Sequence, residues 1–480
     1  MKGLAAFAVG LFIVVGLALH PSINAYHTGF AGLVVSGIFL ASVVAGSVGQ
    51  RVHILVALIF LAFLEPETKI TNSLQFIIVS NGMIVGALSS WFVEKPKVSR
   101  ASLPILGVIA GMFTMTLVFP VIVGALQWIH IHDALMFVKY GIVAVLAFSV
   151  TRHDTKLIVI VFVAASSIVA AVAIVQAFNF PWFGKWMYEI YFSARNYSAE
   201  EVGHLTAIYA RSNGVSGPIS SSLLMVMSLG AWFVLIIRSK STAQMIVASL
   251  GINVILLGIY LTGSRLGVLA AGPALAFGLV WWSSLGRPSV QAKFLSISAI
   301  LIMVFVLVAS IFSSSFALST ITSTQRFVST VPNLLRGTPD DSFKERLEDF
   351  SEIELSYLDF SIERETGRTS EYLTLLKRYG LAGFLLVWQL WLMIVVRSTR
   401  AANNAPNMSG RSMGIVSMVV SITMVIGAIG DGALLDPSRM TVLLVVVGLM
   451  PVLSRFQNLA RSRVHVEIDN SVLQVQPATI

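Results

Sequence analysis

Residues 210–224 read ARSNGVSGPISSSLL, and residues 261–272 read LTGSRLGVLAAG. Each stretch places one arginine, Arg211 or Arg265, beside apolar runs that approach the roughly 20 residues a helix needs to cross a bilayer. An arginine at a membrane boundary is costly, so both residues are candidates for a functional site. Because a guanidinium group grips phosphate oxygens in a fixed fork, we expect the pair to bind a phosphate-bearing ligand.

The composition is that of an integral membrane protein. The 480 residues are 56% hydrophobic and 11% charged, and the mean hydropathy is +0.85, values that soluble domains do not reach. The absence of cysteine excludes disulfides, Cys-ligated zinc, iron–sulfur clusters and a thiol nucleophile. The net charge of +9 is dispersed among the connectors, which indicates membrane topology and argues against nucleic acid as a partner.

Apolar runs predict an all-α polytopic fold with about fourteen transmembrane helices, formed by residues 1–480 as one domain. Alternate connectors carry lysines and arginines, whereas the intervening ones are acidic or nearly neutral. Since cytoplasmic loops are enriched in basic residues, this alternation places both termini in the cytoplasm. The runs begin near Leu4, Gly29, His53, Ser73, Leu103, Ala134, Leu157, Pro218, Met245, Leu266, Phe294, Leu381, Gly414 and Thr441.

Two long connectors fall on the outer side in this topology. Residues 179–217 are rich in aromatic side chains, which we expect to form an interfacial belt, with a stacking platform for sugar rings as the alternative. Residues 313–371 hold about half of the acidic residues and predict a helical, amphipathic lid, whose clearest pattern is KERLEDFSEIELSYLDF. Residues 455–480 form the predicted cytoplasmic tail.

Further residues near the outer side extend the candidate site. Gly214 lies three residues after Arg211, where glycine lets backbone approach a ligand closely. Lys139 lies near the outer end of its span and either adds a positive charge to the site or pairs with Asp133. The two histidines of WIHIHD lack metal-ligand spacing, so we expect no metal there. Nucleotide-binding and serine-hydrolase motifs are also absent from the sequence.

The order of four motifs carries a family resemblance. RSNG and GP precede one span, GSRLG follows the next, and EYLTLLKRYGLAGF opens a further span after the large outer loop. Over residues 211–384 the chain thereby resembles the O-antigen polymerase and ligase superfamily of Wzy-like and WaaL-like membrane proteins. The resemblance implies a GT-C-like glycosyltransferase of the bacterial inner membrane, with a periplasmic active site and a large periplasmic loop.

The same resemblance implies the substrates and leaves two activities open, polymerisation and ligation. Donor and acceptor would be oligosaccharides linked to undecaprenyl pyrophosphate, with membrane lipids and a chain-length regulator protein as further partners. Ligases of this family carry a His-Asn pair before the late tyrosine-leucine segment, where this chain has Thr369 and Ser370. This difference favours polymerisation of O-antigen, capsule or exopolysaccharide repeats. A ligase that transfers glycan to lipid A–core is the alternative within the family. A transporter or flippase is the alternative from another class, and the charges of Lys139 and Asp431 within apolar runs are the features that favour it.

The expected chemistry requires neither a metal nor another cofactor. Arg211 and Arg265 would stabilise the leaving pyrophosphate, because such a leaving group needs charge stabilisation more than protonation. Glu371 is the first choice for the base that deprotonates the acceptor hydroxyl, ahead of Asp340 and Asp341. One-step displacement at the anomeric carbon would invert its configuration. The complete set of expected substrate-binding residues is Arg211, Gly214, Arg265, Arg368, Tyr372 and Lys139.

Overall fold

The computed structural model is helical throughout the part of the chain that it describes. That part comprises residues 29–64, 72–94, 98, 102–122, 124, 126–150, 155–178, 218–285, 288–335, 371–405, 408–429, 436 and 438–449. In chain order its helices are α1 (Gly29–Val48), α2 (Arg51–Leu64), α3 (Asn72–Glu94), α4 (Leu103–Phe113), α5 (Phe119–Ile122), α6 (Trp128–Phe148), α7 (Thr155–Phe178), α8 (Pro218–Arg238), α9 (Thr242–Leu261), α10 (Arg265–Leu285), α11 (Pro288–Phe312), α12 (Ser314–Leu335), α13 (Glu371–Asn404), α14 (Met408–Gly427) and α15 (Ser438–Leu449).

The protein is an all-α, multi-pass membrane protein, as the apolar runs predict. Among the described residues, eight helices are long and apolar enough to cross a membrane: α6, α7, α8, α9, α11, α13, α14, and α4 with α5 through the π-helical segment Thr114–Val118. Shorter apolar helices occur in α1, α2, α3, α10 and α15. These helices correspond one for one to the predicted runs from Gly29 onward, whereas the run near Leu4 lies outside the described residues.

α8 is the central helix of the bundle. It packs against α7, α9, α10 and α14, and nearly all of its side chains are buried. Close packing is achieved at glycines of the neighbouring helices: a Cβ added to Gly251 would lie 2.0 Å from the Trp232 ring, and one on Gly278 would lie 2.2 Å from Phe233. By contrast, most side chains of α11 are exposed apolar groups, which in a membrane contact lipid.

Contacts between helix ends define two ends of the bundle. At one end, Arg238, the last residue of α8, donates from Nη2 to Ser409 Oγ at the start of α14 (3.1 Å). At the other end, Ser220 in the first turn of α8 accepts a hydrogen bond from Arg439 at the start of α15. We call these the Arg238 end and the Ser220 end. Both contacts join helix ends that the predicted alternating topology places on the same side.

Further contacts also join helix ends that the predicted topology places on the same side. At the Arg238 end, Arg51 at the start of α2 forms an ion pair with Glu94 at the end of α3, and its Nη1 lies 3.4 Å from Ser149 Oγ. At the Ser220 end, Tyr379 donates to Asp133 Oδ2 (2.8 Å). These contacts agree with helices that alternate in direction along the chain, as the charges of the connectors predict.

α12 lies within the segment 313–371 that the sequence assigns to the outer connector. Phe316 of α12 packs against Phe178 at the end of α7, and the Tyr260 hydroxyl of α9 donates to the Thr320 carbonyl (3.1 Å). α12 thus lies against helix ends at the Ser220 end. The predicted lid pattern after residue 343, the aromatic connector 179–217 and the tail 455–480 lie outside the described residues.

α1 and α3 pack in parallel through small residues. A Cβ added to Gly86 would lie 2.0 Å from the Val43 carbonyl oxygen, and one on Gly46 would lie 2.3 Å from the Met83 carbonyl oxygen. Gly82 and Gly86 form a GxxxG pair, the pattern that lets membrane helices approach closely. Glycine is required here because the facing atoms belong to backbone and cannot rotate away.

We expect Gly86→Ala to destabilise the protein and Gly37→Ala to leave it unchanged or slightly more stable. Both substitutions gain the same helix propensity, about 1 kcal/mol in water. Only the first forces a backbone shift, which costs about 1–3 kcal/mol, since nothing lies within 4 Å of a Cβ on Gly37. Thermal unfolding of the two purified variants measures the difference. Equal midpoints would contradict the close α1–α3 contact.

Candidate functional site

The first two turns of α8 form the centre of the candidate site. Pro218 occupies the first helical position, where its fixed φ favours helix initiation. The consecutive serines Ser220, Ser221 and Ser222 follow it, and all three are buried. A helix start presents backbone N–H groups and the positive end of the helix dipole, which favour an anion.

Arg265 begins α10 after a short, capped turn. Gly263 adopts φ +60°, which a side chain would disfavour and which lets the chain reverse direction within three residues after α9. Ser264 Oγ then accepts a hydrogen bond from the Gly267 N–H (3.1 Å) and caps the new helix. The Nε atom of Arg265 is buried, although the side chain as a whole is partly exposed. This turn fixes the position of Arg265 at the Ser220 end.

Gly267 brings α10 into contact with α8. A Cβ added to Gly267 would lie 2.4 Å from Ser222 Oγ and 2.5 Å from Ser222 Cβ. Arg265 therefore lies two residues before the point where α10 touches the first turns of α8. A larger residue at position 267 would separate the two helices and displace Arg265 from that position.

Arg439 is a second arginine at the Ser220 end, and it was not predicted from the sequence. Only 3% of this residue is exposed, and its guanidinium group donates from Nη2 to Ser220 Oγ. Asp436 caps α15 by accepting from the Arg439 N–H (2.8 Å), and its Oδ1 lies 4.0 Å from Arg439 Nε. A signal was present in the sequence, because Arg439, like Arg265, precedes a span on the side where arginine is disfavoured.

Lys139 lies beside the first turn of α15. It lines a small cavity together with the hydroxyl-bearing residues Ser80, Ser438 and Thr441. Ser438 directly precedes Arg439, so α15 connects the cavity of Lys139 to the contact with Ser220. The two expected roles of Lys139, an added positive charge at the site and a pair with Asp133, both stay predictions.

The α6 helix begins earlier than the apolar run suggests. It starts at Trp128, six residues before the predicted start near Ala134, and His130 Nδ1 accepts from the Gln127 N–H (3.1 Å). The polar residues of WIHIHD concealed this first turn from a hydropathy pattern. Asp133, predicted to lie in a connector, is instead a helical residue that is 1% exposed and bound by Tyr379.

Tyr372 is used in packing between α13 and α14. Its hydroxyl donates to the Val425 carbonyl (2.5 Å), and its ring stacks on Trp388 with centroids 5.6 Å apart. α13 bends at Gly380, whose φ of +62° is readily available to glycine. The predicted span start near Leu381 marks the part of α13 after this bend, and Glu371 is the first residue of the part before it.

The structure therefore places four of the expected site residues and adds Arg439. Arg265 and Arg439 lie at the Ser220 end. Lys139 lines the cavity beside the start of α15, Tyr372 lies in the α13–α14 contact, and Glu371 is the first residue of α13. Arg211, Gly214, Arg368, Asp340 and Asp341 lie outside the described residues. Within the described part, no cluster of three histidine or acidic side chains could hold a metal ion.

No protein-family model matches the chain, and no curated protein matches it. Function is therefore inferred from the residues at the Ser220 end.

Proposed function

We propose that the protein is a membrane glycosyltransferase that polymerises oligosaccharide repeat units carried on undecaprenyl pyrophosphate. The observation that supports this most directly is the meeting of three helix starts at the Ser220 end. There, α15 brings Arg439 to Ser220, and α10 begins with Arg265 two residues before its contact with Ser222. Arginines at converging helix starts suit a doubly charged leaving group such as a pyrophosphate.

In this proposal the Ser220 end faces the periplasm and the Arg238 end faces the cytoplasm of a bacterial inner membrane. The polyprenyl tail of each substrate lies in the hydrocarbon, so its pyrophosphate is held at the boundary where the helix starts lie. The sugars then extend into the aqueous phase. A chain-length regulator protein is an expected partner on that side.

The proposed reaction forms one glycosidic bond and breaks one bond to phosphate. The acceptor hydroxyl oxygen attacks the anomeric carbon of the donor sugar, and the bond from that carbon to the pyrophosphate oxygen breaks. Arg265, with Arg211 from the segment before α8, stabilises the charge that develops on the leaving pyrophosphate. Glu371 takes the proton of the attacking hydroxyl. Attack from the side opposite the leaving group inverts the anomeric configuration.

A deletion strain distinguishes a polymerase from the two alternative activities. Loss of a polymerase leaves single repeat units on the cell surface, whereas loss of a ligase or a flippase leaves none. We expect single repeats. Purified protein in liposomes, supplied with lipid-linked repeat units and no ion gradient, is then expected to produce a ladder of longer glycans. A missing ladder, together with repeat units moved across the bilayer, would contradict the proposal in favour of transport.

We expect Gly267→Ala to reduce polymer formation at least tenfold, because a methyl group at this position displaces Arg265. A misplacement of about 1 Å at a catalytic site costs on the order of 100-fold in rate. Gly272→Ala on the same helix is the matched control, since nothing lies within 4 Å of a Cβ there. Glycan ladders from the two strains at equal expression measure the effect. Equal ladders would contradict the role assigned to the α8–α10 contact.

A further inference from the structure

A groove runs between α7, α8 and α9 at the Arg238 end, opposite the proposed catalytic site. Its volume is about 490 Å³. Its walls are mostly apolar, and its polar groups belong to a few residues at the helix ends. The described lining consists of Lys156, Val159, Ile160, Leu235, Arg238, Ser239, Ala243, Gln244, Val247 and Ala248.

The apolar wall of the groove faces away from the bundle. Ile160 is 56% exposed and Val247 is 63% exposed. Both residues belong to helices long and apolar enough to cross a membrane. Exposed apolar side chains of such helices contact lipid hydrocarbon, so a groove between them is accessible from the membrane.

Two basic side chains stand at the helix ends that line the groove. Lys156 stands near the start of α7 and Arg238 ends α8, and no carboxylate occurs among the described lining residues. Arg238 donates from Nη2 to Ser409 Oγ (3.1 Å), and within the described structure its Nε and Nη1 groups have no protein partner. Gln244 accepts from the Lys240 N–H (3.0 Å) through Oε1, which leaves its amide N–H groups available.

We infer that this groove binds an anionic glycerophospholipid. Its phosphate would be held by Lys156 and Arg238, and Gln244 would donate to the headgroup, while one acyl chain covers Ile160 and Val247. Basic pockets between membrane helices on the cytoplasmic side recognise anionic headgroups in this way. The ligand class follows from the lining of the groove, and its assignment to the cytoplasmic leaflet rests on the orientation given under the proposed function.

A lipid in this position contacts all three helices that form the groove. One of them is α8, whose other end carries Ser220 and Ser222. The bound lipid therefore acts as a structural ligand that stabilises the folded bundle, by the linkage between binding and folding. It takes no part in glycosyl transfer.

The test uses the full-length purified protein in detergent, with phosphatidylglycerol or phosphatidylcholine added back after delipidation. Native mass spectrometry is expected to show one retained phosphatidylglycerol and no comparable retention of phosphatidylcholine. Thermal unfolding is expected at a higher temperature with phosphatidylglycerol. Lys156→Gln and Arg238→Gln are each expected to weaken phosphatidylglycerol retention about fivefold, since each cation near a lipid surface contributes about 1 kcal/mol.

Two further variants separate the groove from general charge effects. Val247→Trp fills the apolar wall without changing charge and is expected to abolish retention of phosphatidylglycerol. Arg400→Gln removes an exposed arginine on α13, outside the lining, and is expected to leave retention unchanged.

Equal retention of the two lipids, or an equal loss with Arg400→Gln, would overturn the inference. The inference would also be overturned if no lipid were retained and Val247→Trp lowered the unfolding temperature. That result would mean that side chains of the protein itself fill the groove. These measurements involve no glycan, so absence of lipid binding would not contradict the proposed polymerase activity. Absence of polymerase activity would likewise not contradict lipid binding.

Discussion

Replacing Arg265 with lysine is expected to abolish polymer while single lipid-linked repeat units and protein expression persist. Lysine keeps the positive charge but loses the planar fork that holds two phosphate oxygens at once. Removing one preorganised donor from a transition-state site costs on the order of 100-fold or more in rate. Electrophoresis of surface glycans from cells that carry the variant measures the chain length directly.

Arg400→Lys is the matched control for this experiment, because Arg400 is an exposed arginine near the opposite end of the bundle. We expect its glycan ladder to equal that of the unchanged protein. Normal chain lengths in the Arg265→Lys strain would remove the central element of the proposed function. Short but regular chains would instead indicate a lysine that partly replaces the arginine.

Replacing Arg439 with methionine is expected to lower the free energy of unfolding by about 1–3 kcal/mol, the cost of leaving buried polar partners unsatisfied. Ser220 and Asp436 lose their guanidinium contacts in this variant. Because the same substitution releases α15 from the first turn of α8, we also expect polymer formation to fall to background. Thermal unfolding and glycan ladders measure the two effects separately.

A double-mutant cycle with Ser220→Ala tests whether Arg439 acts through Ser220. Residues in direct contact show non-additive effects on stability, so the double variant should lose less than the sum of the single losses. Arg411→Met is the control for activity, since Arg411 holds the Ala405 carbonyl (2.8 Å) at the Arg238 end. Loss of polymer in that control, at temperatures where it stays folded, would contradict a special role for Arg439.

The helices of the membrane domain could be predicted from the sequence because hydropathy depends on neighbours along the chain. The apolar runs from Gly29 onward each became an apolar helix, and the alternating charges of the connectors agree with the contacts between helix ends. The start of α6 was wrong by six residues, because polar side chains occupy its first turn. Hydropathy detects membrane passage, whereas helix starts depend on local hydrogen bonds.

The contacts of the candidate site could be predicted only in part. Arg265 was found because it stands alone between apolar runs. Arg439 stands in a comparable position, but its bond to Ser220 joins residues 219 positions apart, and no local pattern encodes such a contact. Tyr372 was expected to bind substrate. In the structure its ring stacks on Trp388 of the same helix, on the other side of the bend at Gly380, and the sequence pattern did not predict that bend.

The contrast between α8 and α11 has a consequence for sequence variation. Side chains of α8 meet protein on every side, whereas those of α11 mostly point away from the bundle. Lipid tails adapt to any apolar shape, so exchanges among leucine, isoleucine, valine and methionine would be accepted along α11. In a library of random substitutions, α8 would therefore retain fewer functional variants than α11.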